Sequence, residues 1–178
     1  GGPAYGKGRG STGYGKDGKP YSQYEDLIAF MTDAGALAQD LLSEGISGMK
    51  IWPFDPVAHT PGQWNEWRDF KGVFDPHLAN IGGHTISNSD LNQALEPFRQ
   101  IRAAVGDRME IMVEGHGLWS LPAAKKIAYA LEEFSPYWLE DLMRADDIDA
   151  LADLRASTRI PILVSEFLTT RYEYKPVL

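Results

Sequence analysis

Cysteine is absent from the 178 residues of the chain. That excludes a disulfide framework, a thiol nucleophile, an iron–sulfur cluster and a thiolate zinc site, so any metal must be held by oxygen or imidazole. Long apolar runs are missing too. No window approaches the roughly 18 uninterrupted apolar residues of a membrane span, and no apolar segment follows a basic start, so a soluble cytoplasmic location is the expectation. Positive charge is scarce: 17 Lys and Arg against 25 Asp and Glu leave a net charge of −8, with an isoelectric point near 4.9. Nucleic acid and anionic membranes both require clustered positive charge, and neither is the expected partner. Small molecules and proteins remain.

The apolar content of 43%, with 11% aromatics, is enough to build a core. Eight glycines fall within the first 18 residues, interleaved with Lys7, Arg9 and Lys16. No strand or helix survives that density, and residues 1–20 read as a glycine-rich loop. Beyond them, Ala34, Leu37, Ala38, Leu41 and Leu42 recur at helical spacing after Asp33, a plausible N-cap, with Gly45 past the end. Ile46 to Trp52 reads as a short buried strand closed by Pro53. Residues 53–88 show no sustained period and hold four prolines, three histidines, Trp64 and Trp67; loops of this length are usually functional or disordered.

Periodicity returns from Ser89. Leu91, Ala94, Leu95, Phe98, Ile101 and Val105 mark one helix face, which Pro97 should kink and Gly106 should end. Ile111 to Glu114 then reads as a strand, Ser120 caps a helix, Tyr137 to Glu140 is the next strand, Asp147 caps another helix, and Pro161 to Glu166 is a further strand. This β-α-β-α order predicts an α/β fold with parallel strands covered by helices.

Three of these strands end in glutamate at equal spacing: Glu114, Glu140 and Glu166, 26 residues apart. If consecutive parallel strands are neighbours, the three carboxylates converge at the C-terminal edge of the sheet, where α/β folds place their sites. Grouped carboxylates repel unless a cation lies between them. All-oxygen ligation favours a hard ion, Mg²⁺ before Mn²⁺ or Ca²⁺. The plainer alternative is that the glutamates are simply solvated where strands give way to loops. Residues i and i+2 of a strand share a face, so Glu114 is placed with His116, and Lys50 with Trp52. A histidine beside a metal can exchange protons near neutral pH, and a lysine can neutralise developing negative charge. Either could equally be a solvated loop or strand-end residue. Tyr21, Trp52, Trp64 and Trp67 could line a sugar pocket or simply pack. Arg171 could hold a substrate carboxylate bidentately. His59, His77 and His84 show no metal-ligand spacing.

Four ordered segments resemble the enolase superfamily in its mandelate racemase and muconate lactonizing enzyme branch. They are Gly-Ile-Ser-Gly-Met-Lys-Ile at 45–51, Met-Val-Glu-Gly-His-Gly at 112–117, Trp-Leu-Glu-Asp at 138–141 and Pro-Ile-Leu-Val-Ser-Glu at 161–166. The resemblance implies a modified (β/α)₇β barrel of TIM type with an α+β capping domain. Residues 21–178 would form a partial barrel covering about strands 2 to 5, making the chain a fragment without capping domain or late strands. It further implies abstraction of the proton α to a carboxylate, with Mg²⁺ stabilising the enediolate. By motif, Glu114, Glu140 and Glu166 fall on the metal-ligand positions and Lys50 on the first lysine of a Lys-x-Lys pair, whose second position holds Trp52. Glu114-x-His116 is similar to the Asp-x-His of sugar-acid dehydratases, in which the histidine protonates the departing β-hydroxyl. The expected catalytic residues are therefore His116 and Lys50, and the expected substrate contacts Trp52 and Arg171. The substrate would be a small carboxylate such as an aldonate or aldarate, and the full-length parent a homo-oligomer. A racemase or epimerase, and a non-catalytic half-barrel acting as an interaction module, are the alternatives. A glycosidase pairing Glu140 with Glu166 would leave Glu114 and Lys50 without a role.

Overall fold

The computed structural model describes residues 26–59 and 83–178. The glycine-rich start, Tyr21, Trp64, Trp67 and His77 lie outside the described residues. Helices α1 (Asp26–Thr32) and α2 (Ala34–Ser43) precede strand β1 (Gly48–Ile51), which leads into the short helix α3 (Asp55–His59). Helices α4 (Asn88–Ala94) and α5 (Glu96–Val105) lead into β2 (Glu110–Glu114). Next come α6 (Leu121–Leu131), β3 (Trp138–Glu140), α7 (Ile148–Ala156), β4 (Ile162–Leu163) and α8 (Arg171–Tyr174). The strands form one parallel sheet in the order β1-β2-β3-β4. Each strand thus lies beside its predecessor, as successive βα units of a barrel-type fold require.

Local chemistry accounts for the element ends. The Asp33 carboxylate accepts from the Ala36 N–H at 3.0 Å and caps α2, and Asp147 caps α7 through the Ala150 N–H at 2.9 Å. The helix expected from Ser89 with a kink at Pro97 is two helices. Ser87 caps α4 by accepting from Asp90 N–H, and the chain restarts after Leu95 with Pro97 in the first turn of α5. There the missing N–H of proline costs nothing. Gly106, at φ 60°, ends α5. Ser120 precedes α6, but its hydroxyl donates to the His84 carbonyl at 2.9 Å instead of capping the helix.

Burial alternates along the strands. Met49, Ile51, Ile111, Val113 and Leu139 are buried on one face, in one cluster with Leu37 and Ala38 of α2, Phe98 and Ile101 of α5, and Ala124 and Ile127 of α6. Burying one such aliphatic side chain contributes roughly 1.5–3 kcal/mol. Lys50, Met112, Glu114, Trp138 and Glu140 alternate with these residues and share the other face. At the opposite end of the sheet from the glutamates, Arg102 of α5 gathers loose backbone. Its guanidinium donates to the carbonyls of Phe134 (2.9 and 2.8 Å), Gly106 (2.9 Å) and Met109 (2.7 Å), fixing the entries to β2 and β3. Among the described residues no helix is long and apolar enough to cross a membrane.

Candidate active site

The parallel register places Glu114 directly beside Glu140, so their Cα atoms are about 4.8 Å apart and their side chains emerge on the same face. Lys50, on β1 and paired with Met112, reaches between them. Its Nζ lies 2.9 Å from Glu114 Oε2 and 2.9 Å from Glu140 Oε2. Both carboxylates are buried, with side chains 5% and 9% exposed, while the lysine is 39% exposed. Burial opposes the charge on Lys50, but the two carboxylates more than offset it and hold the ammonium pKa above its usual 10.5. Burial also raises the pKa of Glu114, against the pull of Lys50 and the His116 N–H. For Glu140 burial acts in the same direction, yet the hydrogen bond and charge of Lys50, with the Ser165 hydroxyl nearby and the indole N–H of Trp138, win, and its pKa falls below the usual range.

The second oxygen of Glu114 organises the turn that follows it. Oε1 accepts from the N–H groups of Gly115 and His116, both at 3.2 Å, and His116 adopts a left-handed φ of 47°. A side chain at Gly115 would bring its Cβ within 2.8 Å of the Leu142 Cα. The turn therefore depends on a glycine there. His116 Nδ1 lies 2.7 Å from Oδ2 of Asp55 at the start of α3, and the Asp55 side chain is only 9% exposed. An ionised carboxylate can only accept, so this contact favours hydrogen on Nδ1. Burial would lower the imidazole pKa, but the hydrogen bond and charge of Asp55, with Glu114 and Glu166, raise it above 6.5. Trp52, half-buried, stands edge-on to His116 at 6.2 Å between ring centroids and packs on Phe30 at 4.9 Å. The structure thus gathers Lys50, Trp52, Glu114, His116 and Glu140.

Glu166 departs from the expected placement. Equal spacing suggested equal register, but Glu140 pairs with Leu163, three positions short of Glu166. Strand β4 ends at Leu163, earlier than the expected Glu166, and Glu166 is exposed on the following turn. Among the described residues, the acidic group whose oxygens lie within 4.8 Å of one another is Glu114, Glu140 and Asp141, which could hold a metal. Asp141 is already engaged. Buried, and at a left-handed φ of 43°, it accepts from the Ser165 hydroxyl at 2.6 Å and from the N–H groups of Ser165 and Glu166, both at 3.1 Å. It holds the turn that carries Glu166, and Glu166 is near enough to raise the pKa of His116. Arg171 is exposed on α8, stacked over and bonded to its neighbour Tyr172 (2.9 Å), and the structure does not bring it to this cluster. Asp55 and Asp141 are the two residues of the site that the sequence reading missed.

Comparison with known proteins follows the same lines. The chain is 35% identical over 88 residues to a D-galactonate dehydratase of Ralstonia nicotianae, a match covering 49% of this chain and 23% of that protein. It is 32% identical over 100 residues to a D-gluconate dehydratase of Thermoproteus tenax, covering 56% of this chain and 20% of that one. A solved structure of an enolase protein from Sargasso Sea environmental sequencing superposes with a TM-score of 0.68 at 44% identity, over 83% of this chain and 35% of that one. An enolase of the mandelate racemase subgroup from Agrobacterium tumefaciens gives a TM-score of 0.67 at 39% identity, over 81% and 34%. The chain therefore spans about a fifth to a third of the length of these relatives. Residues 33–178 match the family described as Enolase C-terminal domain-like, and the chain belongs to that family.

Proposed function

We propose that this chain supplies part of the active site of a Mg²⁺-dependent sugar-acid dehydratase, which removes the proton α to a carboxylate and expels the β-hydroxyl. The observation that supports it best is one cluster at the sheet edge: two buried carboxylates bridged by a cation, with a histidine two residues from one of them. The donor set fits a hard divalent ion. Lys50 already places positive charge between Glu114 and Glu140, and oxygen ligation suits Mg²⁺, with Mn²⁺ a substitute. Glu114 and Glu140 would hold the ion, with Glu166 as third ligand from the turn that Asp141 anchors; Asp141 itself is occupied by that turn. Bound there, Mg²⁺ would supply Lewis-acid stabilisation of the charge that develops on the substrate carboxylate.

The chain's own residues account for the remaining steps. Lys50 adds positive charge at the same edge for an anionic substrate. Protonated His116 donates from Nε2 to the departing hydroxyl, which leaves as water with the C–O electron pair. The Cα–H pair becomes the new double bond as a basic group takes the Cα proton. Acid help of this kind is worth on the order of 10²–10⁴-fold. Trp52 walls the histidine on one side and offers an apolar face to a sugar carbon chain.

Incubating the chain within its parent protein with a panel of aldonic and aldaric acids and Mg²⁺ should yield 2-keto-3-deoxy products. No product from any member, with metal bound, refutes the reading. Solvent deuterium at Cα without loss of water would instead identify a racemase or epimerase.

A further inference from the structure

Asp55 lies far from the glutamates in sequence, inside a proline-rich stretch with no secondary-structure signal of its own. Yet its carboxylate is buried and meets the imidazole of His116 at 2.7 Å, across 61 residues of chain. A buried charge of this kind is costly unless it is paired and hydrogen-bonded. Two further contacts fix the histidine. Its backbone N–H is held by Glu114 Oε1 at 3.2 Å, and Trp52 stands edge-on to the ring. With Nδ1 committed to Asp55, the other ring nitrogen, on the opposite side of the imidazole, points away from the carboxylate. The His116 side chain as a whole is 38% exposed.

We propose that Asp55 is a positioning residue that holds His116 in the Nδ1–H tautomer, so that all proton exchange with substrate passes through Nε2. A carboxylate accepts only, so the Nδ1 proton stays in place whether the ring is charged or neutral. When Nε2–H gives its proton to a leaving oxygen, the ring is left neutral with its hydrogen on Nδ1, and no reorientation is needed before the next proton arrives. The catalytic part of this inference rests on the dehydratase reading; the tautomer does not.

The test uses ¹⁵N-histidine-labelled chain, with His116 assigned among the four histidines by the signal missing in His116→Gln. At a pH where the ring is neutral, long-range ¹H–¹⁵N spectra should show hydrogen on Nδ1 and a lone pair on Nε2. Asp55→Asn can offer an amide N–H to Nδ1 and should shift the ring toward the Nε2–H form. Asp55→Glu retains the carboxylate and should recover the wild-type pattern at least in part. A wild-type ring carrying its hydrogen on Nε2 overturns the proposal without any variant, as does an Asp55→Asn ring unchanged from wild type. In the parent enzyme, Asp55→Asn should lower kcat about 10²-fold with KM little changed, and Asp55→Glu should restore part of it. If sugar acids are turned over and Asp55→Asn leaves kcat intact, the positioning role fails while the dehydratase reading stands. If no acid is turned over but wild type holds the Nδ1–H form, the dehydratase reading alone fails.

Discussion

Removing the ammonium of Lys50 isolates the electrostatic problem that this site must solve. In Lys50→Met, the carboxylates of Glu114 and Glu140, 5% and 9% exposed, would face one another without the cation that lies 2.9 Å from each. The cost has a ceiling, because the protein can always protonate one carboxyl. Glu114 starts from a usual pKa of 4.5. Neutral pH lies about 2.5 pH units above that, so the escape costs about 3.4 kcal/mol at roughly 1.36 kcal/mol per unit. A floor comes from the partial exposure of the lysine, since solvent-screened pairs contribute up to about 1 kcal/mol. Lys50→Met should therefore unfold about 1–3 kcal/mol more easily than wild type in urea at pH 7 with chelator present. Divalent ion should then reverse the order of effects. An ion held by the same two carboxylates would compete with the ammonium for their oxygens. The Mg²⁺-induced stabilisation should be larger in Lys50→Met than in wild type. If the variant is as stable as wild type in chelator, or gains no more from Mg²⁺ than wild type does, Lys50 is not the counter-ion of this pair and the reasoning is wrong.

Two further outcomes follow from the geometry. Arg102→Leu leaves the carbonyls of Phe134 and Met109 without their guanidinium donor; urea unfolding should show a loss of about 2–3 kcal/mol, and a loss below 0.5 kcal/mol would show that the strand entries do not depend on it. The raised pKa of His116 also has a defined sign. Its stabilising contribution is complete below the unfolded-state value near 6.5 and disappears as pH rises through the higher folded-state value. The stability difference between wild type and His116→Gln should accordingly be largest near pH 6 and shrink toward pH 9, and a difference that grows with pH would contradict the Asp55 pairing.

Much of the scaffold was legible because local signals and tertiary demands agree. Asp33 and Asp147 cap the helices expected of them, and the apolar period running into α5 matches the face that is buried. Pro97, expected to kink one helix, is better accommodated at a new helix start, and the chain breaks at Leu95. Lys50, Glu114 and Glu140 were legible because strand parity and parallel register are arithmetic. Glu166 obeyed the same arithmetic and departs from it, because β4 has only two residues in register and a turn at Asp141 and Ser165 intervenes. Asp55 carried no signal, since its partner lies on another βα unit. Asp141 was hidden for a different reason: its function arises from a left-handed backbone that turns its carboxylate toward Ser165.

Calorimetric titration of Mg²⁺ into the wild-type chain, Glu114→Gln and Glu140→Gln tests the central claim most directly. A jointly held ion predicts a single-site isotherm for wild type, weakened at least about tenfold in each variant as one anionic ligand is lost. Heats indistinguishable among the three proteins would show that these carboxylates do not act together on a cation.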